Sequence, residues 1–197
     1  ALPILRDVAE DNPTMYVRYH RGFHALHTIL QAPRDFLTNG FIYWGPPGSG
    51  KTTHVKELAG PGAFYLTKAM VSGSTVWMDG YDGHEDIVID EFYGWLPLTF
   101  FCNLLDSIPL TAPVKGGSVQ IRAKRVWMTS NASPTTWYQT VSENLQPAKN
   151  ALIRRLSTPI THVYFVGYGP NMDLEVCPCS RAKDCALNHR PLSGPIA

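Results

Sequence analysis

The segment from Gly45 to Thr52 has the residue types and the spacing needed to hold the phosphates of a nucleotide. It reads GPPGSGKT and fits the pattern G-x-x-x-x-G-K-[ST] of a phosphate-binding loop. Glycines let the backbone N–H groups turn inward around the phosphates, and the start of a following helix adds a positive potential. Lys51 is predicted to neutralise phosphate charge, and the Thr52 hydroxyl to bind Mg²⁺. The predicted contacts to ATP are Gly45, Pro46, Pro47, Gly48, Ser49, Gly50, Lys51, Thr52 and Thr53.

A second chemical feature is the pair of adjacent acids Asp90 and Glu91, which end the strand-like segment 86–91. In a parallel sheet, neighbouring strands bring their carboxyl ends to one crevice, so these acids are expected beside the loop. Asp90 is predicted to hold Mg²⁺ directly or through water, and Glu91 to reach the attacking water. Two acids at one strand end favour hydrolysis over simple nucleotide storage. An acidic strand exit into the turn at 93–97 is the structural alternative.

Five apolar runs are predicted as the strands that position these residues. The sequence between them is helical or loop-like, with helices expected over 98–108, stopped by Pro109, and over 150–156. This alternation predicts an α/β fold with a mostly parallel sheet covered by helices. With 197 residues, 44% apolar and 17% charged, the chain has the balance of an ordinary globular domain. The predicted strands are 41–44, 63–66, 87–90, 125–129 and 161–166.

The N-terminal region stands apart from this alternation. Asn12-Pro13 is typical of a helix start, and apolar side chains then recur at intervals of three and four residues. That stripe either packs on its own domain or forms a subunit contact. No apolar stretch approaches the length of a membrane span, so no membrane partner is predicted. The stripe consists of Tyr16, Tyr19, Phe23, Leu26 and Leu30.

Four blocks of sequence together resemble the helicase half of the replication-associated (Rep) proteins of circoviruses and related single-stranded DNA viruses. The blocks are GPPGSGKT, WMDGYDGHEDIVIDEFYGWLP, PLTAPVKGGSVQIRAKRVWMTSN and ALIRRL, and the similarity covers roughly residues 14–166. That helicase belongs to superfamily 3 of the AAA+ class. The resemblance therefore implies an AAA+ type ATPase with a five-stranded, mostly parallel sheet and an N-terminal helical segment.

The resemblance also implies further catalytic residues. It places a water-positioning asparagine at Asn131, where a polar amide at a strand end would enter the same crevice. A capping role for Asn131 is the alternative. It places an arginine finger, supplied to the neighbouring subunit, at Arg154 or Arg155. The residues alone equally allow arginines that are solvated or paired with a carboxylate.

The segment 113–121 is predicted to form a hairpin, because Gly116-Gly117 is a strong tight-turn signal after Lys115. In the helicases that it resembles, this hairpin enters the central channel of a ring and grips the DNA backbone. Lys115 is then the predicted DNA contact, with Arg122 and Lys124 as weaker candidates. From residues alone, a solvated surface hairpin would look the same.

The resemblance predicts a 3′-to-5′ DNA helicase that binds ATP and Mg²⁺, surrounds single-stranded DNA as a homo-oligomeric ring, expected to be a hexamer, and acts in the host nucleus. Tyr65 and Lys68 fit the Y-x-x-K pattern of the DNA-nicking tyrosine in full-length Rep proteins, but this match is discounted, because Tyr65 lies on the second predicted strand and the chain lacks the His-hydrophobic-His motif that nicking requires. A nicking endonuclease domain is instead expected upstream. Two rival classes remain. One is a picornavirus-type RNA helicase of the same superfamily, and the other is a non-catalytic, ATP-binding oligomerisation or packaging module.

Three divisions of the chain are predicted: an N-terminal helical oligomerisation segment at 1–36, the ATPase domain at 37–168 and a Cys-containing tail at 169–197. The tail holds potential zinc ligands, although their first spacing is too short for a CCCH finger and free thiols are the favoured interpretation. Three N-terminal histidines share a helix face but have no evident carboxylate partner, which indicates an incidental polar stripe. The tail residues are Cys177, Cys179, Cys185 and His189, and the histidines are His20, His24 and His27.

Overall fold

A computed structural model describes residues 5–30, 32–139, 143–157, 161–168 and 174–177. Its main sheet has six strands in the order β10-β9-β1-β8-β5-β2, and all neighbours are parallel except β10 and β9. The five predicted strands and the α/β fold are confirmed, and antiparallel β10 is an addition at the edge. The strands of this sheet are β1 (Asn39–Trp44), β2 (Phe64–Tyr65), β5 (Asp86–Ile89), β8 (Arg125–Ser130), β9 (Thr161–Tyr168) and β10 (Leu174–Cys177).

Two short hairpins lie outside the main sheet. One pairs β3 (Val71–Ser72) with β4 (Thr75–Val76), and the other pairs β6 (Thr111–Val114) with β7 (Gly117–Gln120). The second hairpin confirms the turn predicted from the two glycines, with Val114 paired to Gly117 across it. Gly116 has a φ of 94°, a backbone conformation that favours glycine.

Both faces of the central strands β5 and β8 are buried, which is why these strands read as nearly continuous apolar runs. On one face, Val88 and Trp127 pack with Val55 of the first helix after the loop. On the opposite face, Ile87 and Met128 pack with residues of two later helices. The helices are α1 (Leu5–Asp11), α2 (Pro13–Leu30), α3 (Lys51–Ala59), α4 (Leu98–Leu104) and α5 (Gln146–Leu156).

Helix α4 ends at Leu104, four residues before the predicted end at 108, and buried Arg34 explains the difference. Its guanidinium donates to the carbonyls of Asn103, Leu104 and Ile108, with nitrogen–oxygen distances of 3.1 Å to Leu104 and 2.8 Å to Ile108. These bonds satisfy carbonyls that the end of a helix leaves unpaired. Helix α5 starts at Gln146 rather than near 150, since Pro147 occupies the first turn, where a missing N–H is tolerated.

The N-terminal helices expose most of their predicted apolar stripe. Tyr19, Leu26 and Leu30 are each about half exposed, whereas Tyr16 and Phe23 are partly buried and stack on each other. The stripe therefore does not pack fully on its own domain. None of the helices in the described ranges combines the length and apolar character needed to cross a membrane. The three-part division of the chain stays a prediction.

One expectation about the histidines changes in the structure. The His27 Nδ1 atom lies 3.7 Å from Oδ1 of Asp82, so a carboxylate does face this histidine. Asp82 also accepts a hydrogen bond of 2.9 Å from the backbone N–H of Leu5. Because Asp82 is distant from both in sequence, the helical stripe alone could not reveal it. This contact joins the N-terminal helices to the segment between β4 and β5.

Candidate nucleotide-binding site

The loop between β1 and α3 has the backbone shape that a phosphate site requires. Gly48 and Gly50 have φ values of 78° and 75°, which favour glycine. Gly45 lies against β9, and a Cβ atom there would be 1.9 Å from the carbonyl oxygen of Val166. The N–H of Gly45 donates to the carbonyl of Ser130 at 3.1 Å, which ties the loop to the end of β8. Glycine at these positions thus follows from the local geometry.

Lys51 lies folded over the loop, with 6% of its surface exposed. Its Nζ atom donates to the carbonyls of Gly45 at 3.1 Å and Pro46 at 2.7 Å, and to the hydroxyl of Ser49 at 3.1 Å. Burial lowers the pKa of Lys51, while the Asp90 and Glu91 carboxylates act in the opposite direction. An anionic phosphate is a stronger partner for this ammonium than neutral carbonyls are.

The carboxyl end of β5 meets the loop through Asp90. Its Oδ1 atom accepts a 2.8 Å hydrogen bond from the Thr52 hydroxyl at the start of α3. The same atom accepts a hydrogen bond from the hydroxyl of Thr129, on neighbouring β8. Hard oxygen donors of this kind, one carboxylate and one hydroxyl, suit Mg²⁺, so Thr52 and Asp90 fit the predicted metal site.

Glu91 follows Asp90 and has a φ of 49°, a strained value for a residue with a side chain. Two hydrogen bonds hold its backbone: its N–H donates to Thr129 Oγ1 at 3.0 Å, and its carbonyl accepts from Trp95 Nε1 at 3.1 Å. The side chain is exposed and lines a cleft of about 340 Å³ over the loop. The cleft is lined by Pro47, Gly48, Gly50, Lys51, Thr52, Thr53, Glu91, Thr129, Ser130 and Asn131.

Asn131 follows the last residue of β8 and lines the same cleft as Glu91. Its Nδ2 atom donates a 2.7 Å hydrogen bond to the hydroxyl of Tyr93. The cap of the following 3₁₀ turn is Ser133, whose Oγ accepts from the backbone N–H of Thr135 at 3.4 Å. Asn131 is therefore available to the cleft, and its catalytic role stays a prediction.

The two arginines of α5 differ in their surroundings. The guanidinium of Arg155 pairs with the carboxylate of Asp106, and the two side chains are 17% and 19% exposed. Burial acts to raise the pKa of Asp106, but hydrogen bonds from Arg155 and Ser107 outweigh it and lower that pKa. Arg154 is exposed, and its guanidinium has no ion pair or hydrogen bond with the part of the chain described. Of the two, only Arg154 is thus presented outward without a carboxylate partner among the described residues.

The three predicted DNA contacts also differ. The Lys115 side chain, at the hairpin turn, is 88% exposed; its Nζ atom lies 4.0 Å from Asp79 Oδ2, and its backbone N–H donates to Asp79 Oδ1 at 2.6 Å. Arg122 donates to the carbonyl of Ala32, and Lys124 Nζ lies 2.5 Å from Glu85 Oε1. Arg122 and Lys124 are thus held by hydrogen bonds within the chain, whereas Lys115 makes a longer ion pair and is the most exposed of the three. Their roles in DNA binding stay predictions, and the geometry favours Lys115.

Sequence reasoning missed Thr129, Ser130 and Tyr93. Thr129 hydrogen-bonds to both acids that follow β5, Ser130 lines the cleft, and Tyr93 holds Asn131. The signal for the first two was their place at the end of β8, directly before Asn131. Tyr93 gave no signal, because nothing in the spacing of an aromatic residue after a strand indicates where its hydroxyl lies.

The proposed zinc ligands are only partly within the described ranges. Cys179, Cys185 and His189 lie outside them, and of Cys177 only the backbone pairing in β10 is described. Within the described part of the chain, no three His, Cys, Asp or Glu side chains are grouped to hold a metal.

Comparisons with known proteins agree with this geometry. A family model described as RNA helicase matches residues 41–132. The replication-associated protein of beak and feather disease virus is 42% identical over 136 residues, covering 68% of this chain and 45% of that protein. The replication-associated protein of porcine circovirus 2 is 39% identical over 153 residues, covering 77% of this chain and 46% of that protein. The replication-associated protein of human associated cyclovirus 1 is 32% identical over 154 residues, covering 77% of this chain and 54% of that protein. The chain spans about half the length of these relatives.

Among solved structures, a closed state of Hsp104 with ATPγS and casein is similar to 80% of this chain and 34% of that chain, at 19% identity and a TM-score of 0.38.

Proposed function

Since this chain belongs to the circovirus-type replication-associated proteins and carries their superfamily 3 helicase domain, we propose that it hydrolyses ATP to move single-stranded DNA. One observation supports hydrolysis most directly: residues from three separate segments of the chain come together at one cleft. They are Lys51, Thr52, Asp90, Glu91 and Asn131. A storage site would need the loop alone.

ATP is proposed to bind with its phosphates in the loop between β1 and α3. Lys51 would leave its loop carbonyls for the β- and γ-phosphates, and the backbone N–H groups of the loop would hold the remaining oxygens. Thr52 and Asp90 would hold Mg²⁺, which supplies charge neutralisation on the phosphates when bound. Thr129 keeps the Asp90 carboxylate directed to the loop by donating to its Oδ1.

Glu91 is proposed as the base for the attacking water. The water oxygen forms a bond to the γ-phosphorus, the bond to the β-phosphate oxygen breaks, and the water proton passes to the Glu91 carboxylate. The strained backbone of Glu91 is fixed by Thr129 and Trp95, which limits where the carboxylate can point. Asn131, across the same cleft, is proposed to orient this water relative to the γ-phosphate.

The active assembly is proposed to be a ring, expected to be a hexamer, with ATP at subunit boundaries. Arg154 is proposed as the finger supplied to the neighbouring site, because Arg155 is engaged with Asp106 of its own chain. The exposed apolar stripe on α2 supports a subunit contact by the N-terminal helices.

Single-stranded DNA is the proposed polymer in the ring, moved in the 3′-to-5′ direction by the hairpin of β6 and β7. The exposed Lys115 ammonium would bind DNA phosphate, and Asp79 would fix the hairpin turn through the Lys115 N–H. In the full-length protein, a nicking endonuclease domain is proposed upstream, and the host nucleus is the proposed location. Both follow from the family alone.

The description of the matching family model as RNA helicase keeps an RNA helicase as the second candidate. The named viral relatives are replication-associated proteins of the circovirus type, which favours DNA. RNA-stimulated rather than DNA-stimulated hydrolysis would support the second candidate. Absence of steady-state turnover would instead support the non-catalytic module.

Replacing Lys115 by alanine is expected to abolish unwinding while leaving DNA-independent ATP hydrolysis largely intact. The residue lies on a separate hairpin and does not line the nucleotide cleft. Each subunit would lose one phosphate contact. The slope of the logarithm of the DNA-binding constant against the logarithm of the salt concentration should therefore become shallower by up to about one unit per contact. Fluorescence anisotropy of labelled single-stranded DNA across a salt series measures this slope.

The matched control is Lys56→Ala, which removes the same charge from an exposed position on α3. It should leave the salt slope and the unwinding unchanged. Normal unwinding by Lys115→Ala with an unchanged slope would show that this hairpin does not grip DNA, and Arg122 and Lys124 would be tested next.

A further inference from the structure

We infer that Tyr93 is a positioning residue for Asn131, holding its amide toward the nucleotide cleft. This inference rests on the proposed function, in which Asn131 orients the attacking water. The Tyr93 hydroxyl accepts a 2.7 Å hydrogen bond from Asn131 Nδ2, across 38 positions of sequence. Asn131 lines the cleft and Tyr93 does not, so the tyrosine acts through the asparagine.

The backbone of Tyr93 is anchored by its neighbour Phe92, which is fully buried. The Phe92 ring packs against Trp137 at 4.7 Å and Phe101 at 4.9 Å between ring centroids. The N–H of Phe92 donates to the carbonyl of Thr129 at 2.7 Å. These contacts fix the start of the Tyr93 side chain relative to β8, whereas the residue as a whole is 45% exposed.

The backbone beside Asn131 is anchored as well. The carbonyl of Ser130 accepts from the N–H of Gly45, and its hydroxyl accepts from the N–H of Ala132 at 3.1 Å. Asn131 is therefore held between the phosphate loop and the segment after β5. The backbone does not determine the rotation of the Asn131 amide group about its terminal side-chain torsion, because the distribution of this torsion angle is broad for asparagine.

The hydrogen bond to Tyr93 removes that freedom. An asparagine amide has two N–H donors and one carbonyl acceptor, and Tyr93 engages one N–H. The other N–H and Oδ1 then have fixed directions and remain available for the γ-phosphate and the attacking water. Without the tyrosine hydroxyl, the exposed amide would rotate and present donor and acceptor in either order. The expected result is slower chemistry with ATP binding preserved.

The test compares Tyr93→Phe with the parent chain, alone and in an Asn131→Ala background. Tyr93→Phe is expected to lower kcat about three- to tenfold, the loss typical of one hydrogen bond, with KM for ATP within about twofold. In the Asn131→Ala background, the same change should have no further effect, because the tyrosine has no amide to hold. Tyr65→Phe, at a 40% exposed tyrosine on β2, is the matched control and should leave kcat unchanged.

A second measurement does not depend on turnover. In a ¹⁵N–¹H spectrum, the side-chain amide signals of Asn131, assigned by their loss in Asn131→Asp, should shift in Tyr93→Phe and stay in place in Tyr65→Phe. Equal losses of kcat from Tyr93→Phe in both backgrounds, or unshifted amide signals, would overturn the positioning role. Full turnover by Asn131→Ala would instead refute the proposed role of Asn131, whatever the spectra show.

Discussion

Replacing Glu91 by glutamine is expected to leave ATP binding intact and to lower turnover by roughly a hundredfold or more. The amide keeps the size and the hydrogen-bonding reach of the side chain, but it cannot take the proton of the attacking water. Binding is preserved because the phosphate contacts come from the loop and Lys51, which the substitution does not touch. Steady-state phosphate release and the binding of a fluorescent ATP analogue measure the two effects separately.

Two further variants make the Glu91 result specific. Glu57→Gln removes a carboxylate from an exposed position on α3 and should keep normal turnover. Lys51→Ala should weaken nucleotide binding as well as turnover, because the ammonium is the main positive charge at the loop. Turnover near the parent value in purified Glu91→Gln would remove this residue from the catalytic role.

Replacing Arg154 by alanine is expected to abolish turnover in the assembled ring without lowering the stability of the subunit. The guanidinium is exposed and makes no hydrogen bond or ion pair with the described part of its own chain, so the subunit loses no polar side-chain contact there. Arg155→Ala is the matched variant on the same helix. It removes the ion-pair partner of the partly buried Asp106 and should lower the free energy of unfolding by about 1–3 kcal/mol. Thermal unfolding and ATP turnover of both variants distinguish the catalytic role of Arg154 from the structural role of Arg155.

Mixing the Arg154→Ala chain with the Lys51→Ala chain tests whether the arginine acts in trans. Neither chain should hydrolyse ATP alone. At equal mixing, about one interface in four should combine an intact Lys51 with an intact Arg154 from the next subunit and regain activity. No recovery at any ratio, with mixed rings shown to form, would mean that each site lies within one subunit.

The nucleotide cleft was predictable from sequence because its parts are local signals joined by one topological rule. The glycine spacing of the loop determines its backbone shape, and the acids follow directly after a buried strand. Parallel strands bring their carboxyl ends together, which places Asp90 and Asn131 beside Thr52. The loop and the acids need only residue types and order, Asn131 follows from the resemblance, and the five strands that support them are confirmed.

What could not be predicted depends on pairs that are distant in sequence. Arg34 shortens α4 by binding its terminal carbonyls, and nothing near Arg34 in sequence indicates this. Asp106 distinguishes the two arginines of α5, which look equivalent in the sequence. The intrachain partners of Arg122 and Lys124 are likewise remote. Side-chain partners across such separations follow from the packed structure, whereas strand positions follow from local hydrophobicity.

The most direct test of the central claim is strand separation on forked substrates with either a 3′ or a 5′ single-stranded tail, in DNA and in RNA. With ATP and Mg²⁺, the parent chain should separate the 3′-tailed DNA fork, and Glu91→Gln should separate none. Unwinding of the RNA fork alone would support the RNA helicase. ATP hydrolysis without strand separation on any substrate, or separation by Glu91→Gln at the parent rate, would contradict an ATP-driven DNA helicase.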